Sequence, residues 1–181
     1  MASKIKVDQI QTADGTGTIA LQNQLSGLTS ASMPSGSVLQ VVEGSSTTDV
    51  TITSTGTWTD TGLTATITPK FNNSKILVIQ HQFYMGRFNS GGTEWEGSMR
   101  ILRGSTALYA TLTNALTAIA DIQPSKSRTQ MSNTIAQSYL DSPATTSATT
   151  YKTQGYMQTG DIFILNRESA RSTLTLMEIA G

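Results

Sequence analysis

The 181-residue sequence holds one imidazole, His81, and no cysteine. A single His cannot build a multi-His metal centre, and it leaves a conventional nucleophile–His–carboxylate triad little to work with. The absence of Cys removes disulfides, thiolate ligands and thiol nucleophiles. His81 stands in the alternating series Leu77, Ile79, His81, Phe83, Met85. That setting points to a buried imidazole bonded to a backbone or hydroxyl partner, or to one at a subunit interface. A ligand or acid–base role is the sharper alternative. Glu94 and Glu96 lie two apart, so on a strand they share a face and could act as a carboxylate pair or hold a cation. A solvated strand face is the plainer reading, because no other acidic residue is near them in sequence. The segment Asp14-Gly15-Thr16-Gly17 has the outline of a calcium loop but lacks the alternating acidic ligands and the closing Glu. Phosphate-loop, dinucleotide and nucleophile-elbow patterns are absent. The residues therefore suggest no enzyme, no metal and no cofactor.

Binding chemistry is the remaining possibility. Residues 86–95 concentrate Gly with Arg87, Phe88 and Trp95. Aromatic side chains on a Gly-rich loop can stack on sugars or anchor a protein partner. Arg87, Phe88 and Trp95 are thus a candidate receptor- or partner-contact loop. The alternative is a long hairpin loop with Trp95 turned into the core.

The elements that would carry these residues are strands. The chain holds 30 Thr and 21 Ser, roughly 28% of its length, and only 13% charged residues against about 25% in typical domains. Thr suits a pleated, half-buried surface, and the β-branched content speaks against disorder. Strand-like runs recur at residues 38–42, 50–53, 63–68, 75–85, 95–101, 131–140, 149–158, 161–165 and 172–179. Regular spacing of this kind marks an antiparallel β-sandwich of jelly-roll type. Residues 75–85 are apolar at odd and even positions alike, which predicts burial on both faces. Residues 112–122 fit a short helix or irregular insertion and a strand equally well. The net charge is zero, so no basic face offers itself to nucleic acid. No apolar run reaches the 18 or so residues that a membrane span requires, and the N-terminus has no apolar signal region.

Residues 1–36 have a different texture, with too few apolar side chains for a core of their own. Ile5, Val7 and Ile10 form a short stripe, which favours an extended arm that orders against other chains over a mobile tail. The chain thus divides into an arm, 1–36, and a β-sandwich domain, 37–181. The first strand, 38–42, and the last, 174–179, are both strongly apolar. A jelly roll in which they lie side by side would turn Leu174 and Leu176 to one side of the sheet and Met177 and Ile179 to the other. One side is the core. The other is a candidate subunit interface, to which His81 also belongs.

Three stretches, SKIKVDQIQTADG at 3–15, LDSPATTSATTYK at 140–152 and STLTLMEIAG at 172–181, resemble the Thr/Ser-rich tail-fibre and virion structural proteins of tailed bacteriophages, especially aquatic ones. The resemblance extends over essentially the whole chain. It implies a virion protein made in the host cytoplasm and assembled as a homotrimer. The arm would dock on other tail or neck proteins through Ile5, Val7 and Ile10, and the β-domain would contribute to host attachment through a surface glycan or protein. A neck or head fibre, or a decoration or adaptor protein binding only virion partners, is the alternative. A carbohydrate-active tailspike enzyme would need converging carboxylates that the sequence does not display.

Overall fold

The computed structural model describes residues 33–88, 95–108 and 129–181. The candidate arm residues Ile5, Val7 and Ile10, Glu94, and the ambiguous stretch 112–122 lie outside the described residues. One compact unit runs from Pro34 to Gly181.

That unit is an all-β antiparallel sandwich of jelly-roll type. Ten strands are described: β1 Val38–Ser46, β2 Val50–Ile52, β3 Trp58–Ile67, β4 Lys75–Phe88, β5 Glu96–Arg103, β6 Thr106–Ala107, β7 Thr129–Asp141, β8 Thr149–Thr159, β9 Ile162–Leu165 and β10 Ser172–Ile179. The first sheet runs β1-β10-β4-β9-β2, with β7 on the other edge of β4; the second runs β3-β8-β5-β6. β4 is long enough to pair β10 along Lys75–His81 and β9 along Tyr84–Arg87 on one edge, while β7 follows its whole length on the other. The connections β2–β3, β3–β4, β4–β5, β7–β8 and β8–β9 each cross from one sheet to the other.

The expected neighbourhood of the first and last strands is present. β1 pairs β10 antiparallel, with Val38 opposite Ile179 and Val42 opposite Leu176. Gly36 N–H donates to Ala180 O at 2.8 Å and Ala180 N–H to Ser37 O at 2.9 Å, so the start of the sandwich is zipped to its end. Side chains alternate as a pleat demands. Ser172, Leu174, Leu176 and Glu178 are buried; Thr173, Thr175, Met177 and Ile179 are half-buried on the opposite side. β8 buries Tyr151, Thr153, Gly155 and Met157 in the same way.

Burial of β4 departs from expectation. Its even positions Ile76, Val78, Gln80, Gln82 and Tyr84 are buried; of the odd positions Met85 is buried, Leu77, Ile79 and Phe83 are half-buried and His81 is exposed. The expectation of two covered faces holds at Met85 and is corrected at Leu77, Ile79, His81 and Phe83: a two-layer sandwich covers one face of each sheet, and these four have no third layer above them among the described residues.

The core has two apolar clusters. Ile52, Tyr84, Trp95, Met99, Met157, Phe163 and Leu165 belong to one, and Leu63, Ile67, Ile76, Val78, Ile101, Tyr151, Leu174 and Leu176 to the other. Between them along β4 sit Gln80 and Gln82, and along β8 sits Thr153, all fully buried. The Gln82 carbonyl accepts from Gln80 Nε2 and from Thr153 Oγ1, each at 2.9 Å. Ser172 Oγ donates to Asn166 Oδ1 at 2.6 Å, and Asn166 Nδ2 donates to Thr48 O at 2.9 Å. These groups offset much of the cost of their burial by bonding one another, while the Gln80 side-chain oxygen has no partner.

Two charged groups tie loops and sheets together. Asp141, at the end of β7, accepts both from Arg103 Nη1 (2.8 and 2.7 Å) and from the Tyr151 hydroxyl (2.7 Å), linking the two sheets. Glu178 is fully buried; its carboxylate accepts from the Gln40 amide and from Lys70 N–H at 2.7 Å, pinning the β3–β4 turn.

Candidate functional site

The two outer faces of the sandwich differ in chemistry. On the first sheet, the register places Val41 beside Met177, Met177 beside Leu77, and Leu77 beside Leu140. Directly opposed residues share a face, so this is one aliphatic row across four strands. Its ends are open: Val41 is 55% exposed and Leu140 50%. Ile79 and Ile179 flank the row on the same face, and a cleft of about 370 Å³ is lined by Leu77, Ile79, His81, Ala136, Gln137 and Ser138. Met177, Ile179 and His81 therefore do come together on one surface, as the alternation along β4 and β10 suggests. His81 is exposed there, which corrects the expectation of a buried imidazole: the odd residues of β4 point away from the core.

The proposed contact loop does not survive as a unit. Trp95 has no exposed surface. Its ring meets Phe163 edge-on at 5.1 Å and stacks parallel to Tyr84 at 6.2 Å, and Nε1 donates to Ile162 O at 3.2 Å. Gly86, Gly97 and Gly160 form its slot: a Cβ at any of them would approach the indole within 2.4 Å. The glycines near Trp95 thus serve close packing, and Trp95 is a core residue that no receptor could touch. Arg87 is half-buried with its Nε unpartnered. The Phe88 side chain and residues 89–94 lie outside the described residues.

The outer face of the second sheet holds a constellation that sequence inspection missed. Trp58 on β3 is the register partner of Tyr156 on β8, which is in turn opposite Ser98 on β5. In the next row of that face Asp60 lies opposite Gln154, and Gln154 opposite Arg100. The side chains are linked throughout. Arg100 Nε and Nη2 both donate to Gln154 Oε1, at 2.9 and 2.7 Å. Gln154 Nε2 donates to Asp60 Oδ1 at 2.6 Å, and Lys152 Nζ to Asp60 Oδ2 at 2.8 Å. The Arg100 guanidinium lies 4.2 Å from the centre of the Trp58 ring, and the Trp58 and Tyr156 rings are 5.1 Å apart at 37°. The hydrogen bond from Lys152 holds the Asp60 carboxyl below its ordinary range against the opposing effect of burial, with Gln154 and Arg100 adding to it.

A local irregularity shapes this face. Three residues, Thr61, Gly62 and Leu63, separate Asp60 from Thr64 on β3, where only Thr153 separates their partners on β8. The extra length bulges outward at Gly62, whose φ of +75° is costly for other residues. Beneath the bulge a cleft of about 220 Å³ is bounded by Asp60, Gly62, Leu63, Thr64, Lys152 and Thr153.

Among the described residues no group of three or more His, Asp or Glu is placed to hold a metal ion. Compared with protein-family models and with curated proteins, the sequence matches none.

Proposed function

We propose that this chain is a structural protein of a phage virion, a fibre subunit that assembles as a homotrimer and contributes to host attachment. The observation that carries the self-assembly is the aliphatic row Val41–Met177–Leu77–Leu140, open to solvent at both ends. Exposed aliphatic patches that cross a whole sheet mark protein interfaces, and burial would stabilise association by about 25 cal/mol per Å² removed from water. A second copy fits best, because the neighbouring Thr, Ser and Ala side chains of β7 and β10 are small and uncharged and allow close approach. The virion setting is supported by the Thr/Ser-rich, charge-poor composition and by the three stretches that resemble phage fibre proteins.

The test is the solution mass at micromolar concentration. A homotrimer of the 19.3 kDa chain is expected. A monomer would overturn the assembly. Imaging of particles carrying a labelled copy would test the setting, and absence from the particle would refute it.

A further inference from the structure

We propose that the outer face of the β3–β8–β5 sheet, around the Thr61–Leu63 bulge, is a saccharide-binding site. Three observations converge. First, the apolar surface of this face is aromatic: the strongly exposed aliphatic side chains described in the sandwich, Val38, Val41 and Leu140, lie on strands of the other sheet. Aromatic ring faces pack against the C–H faces of a pyranose. Second, the polar groups here, three of them planar, are already held by one another, as Arg100, Gln154, Asp60 and Lys152 form one chain of hydrogen bonds. Each keeps capacity to spare: Asp60 has free lone pairs, Gln154 a second amide hydrogen, and Arg100 and Lys152 further N–H donors. Side chains fixed before binding lose little entropy on binding, and planar pairs of this kind engage adjacent hydroxyls two at a time. Third, the bulge opens a cleft of about 220 Å³, room for one sugar ring, with Asp60 and Lys152 on its rim. Bulges recur beside functional sites because they re-aim the chain without disrupting the sheet.

Roles follow from position. The cleft takes one pyranose, whose hydroxyls bond Asp60 and Lys152. The neighbouring ring of the saccharide packs on the Tyr156 ring face and on the face of Trp58 that Arg100 leaves. Arg100 covers one face of Trp58 and holds Gln154, so it is a positioning residue. One Asp against one Arg and one Lys leaves the site net positive, which favours saccharides bearing a carboxylate over neutral ones.

Every group named belongs to one chain, so the site does not depend on assembly: a monomer that binds sugar would fail the trimer reading and keep this one. The test is titration of the full-length protein with maltotetraose, galactotetraose and an alginate tetramer, followed by ligand-observed NMR and by tryptophan emission. The protein has two Trp and Trp95 is buried, so a change in the solvent-exposed emission reports Trp58. Saturable binding of at least one probe is expected, tightest for the alginate tetramer. Tyr156→Ala and Gln154→Ala should each weaken it tenfold or more with an unchanged thermal midpoint, while Leu140→Ser on the other sheet should not alter it. Failure of all three probes overturns the proposal. So does binding that survives both β8 variants, or a face that captures only protein. Should one β8 variant misfold, the other decides, since Gln154 and Tyr156 project outward from the same strand.

Discussion

Gly97 and Glu178 show how much depends on single positions. A methyl at Gly97 would lie 2.4 Å from the Trp95 ring, and that ring is locked by Tyr84 and Phe163. Overpacking of a filled core costs about 1–3 kcal/mol. Gly97→Ala should therefore lower the urea midpoint with little change in slope. At Glu178, burial raises the carboxyl pKa, but hydrogen bonds from Gln40 and from the backbone of Lys70 and Phe71 outweigh it and hold the group below its ordinary 4.5. A carboxyl depressed in the folded state stabilises fully above its unfolded pKa, and that contribution disappears as the pH falls through the folded value. Stability measured by denaturant should thus fall on acidification below about pH 4.5. Glu178→Gln should be less stable at neutral pH and flatter across that acid window. Equal acid sensitivity in both proteins would assign the loss to other carboxyls.

At the scale of elements, β4 and β8 carry both kinds of core contact. Gln82 accepts from Gln80 Nε2 and Thr153 Oγ1 and donates through Nε2 to Asn166 Oδ1 at 3.5 Å, so Gln82→Leu would take a partner from two buried donors and one buried acceptor. An unsatisfied buried polar group costs about 1–3 kcal/mol, so the variant should lose at least that much despite its added apolar surface. On β10, alternation separates two roles. Leu176 is fully buried, and Leu176→Ala should cost about 2–5 kcal/mol in unfolding experiments. Ile179 lies on the opposite, outward side, so its loss should act elsewhere.

For the whole molecule, the two outer faces predict two separable phenotypes. Met177→Asp or Ile179→Asp places a charge in the aliphatic face of the first sheet. Burying an unpaired charge at an interface is strongly unfavourable, whereas at an exposed position it is nearly neutral. Either variant should shift the solution mass toward the monomer by light scattering while the monomer fold keeps its thermal midpoint to within a few degrees. A large drop in that midpoint with the mass unchanged would place these residues in the fold rather than in an interface. Saccharide binding on the second sheet should persist in both variants.

Much of this was legible along the chain. Alternation marks most of the strands and the division of Leu174 and Leu176 from Met177 and Ile179, because the side-chain period of a strand is a local property of the backbone, whereas the adjacency of β1 and β10 follows only from the jelly-roll reading. Trp58 and Asp60, and likewise Lys152, Gln154 and Tyr156, are visibly two apart, yet nothing local says that these runs are neighbours. Trp58 and Tyr156 are 98 positions apart, and the two-residue excess at the β3 bulge sets which rows align. Trp95 is the opposite case. Its place in a Gly-rich stretch suggested a surface loop, but the glycines come from β4, β5 and the turn after β8 and leave room for its ring in the core. The fate of β4's outer face was equally hidden, since an apolar face reads the same whether a third layer, a second copy or water covers it. Composition and periodicity are written residue by residue; register between distant strands, and what lies over a face, exist only once the sheets have closed on each other.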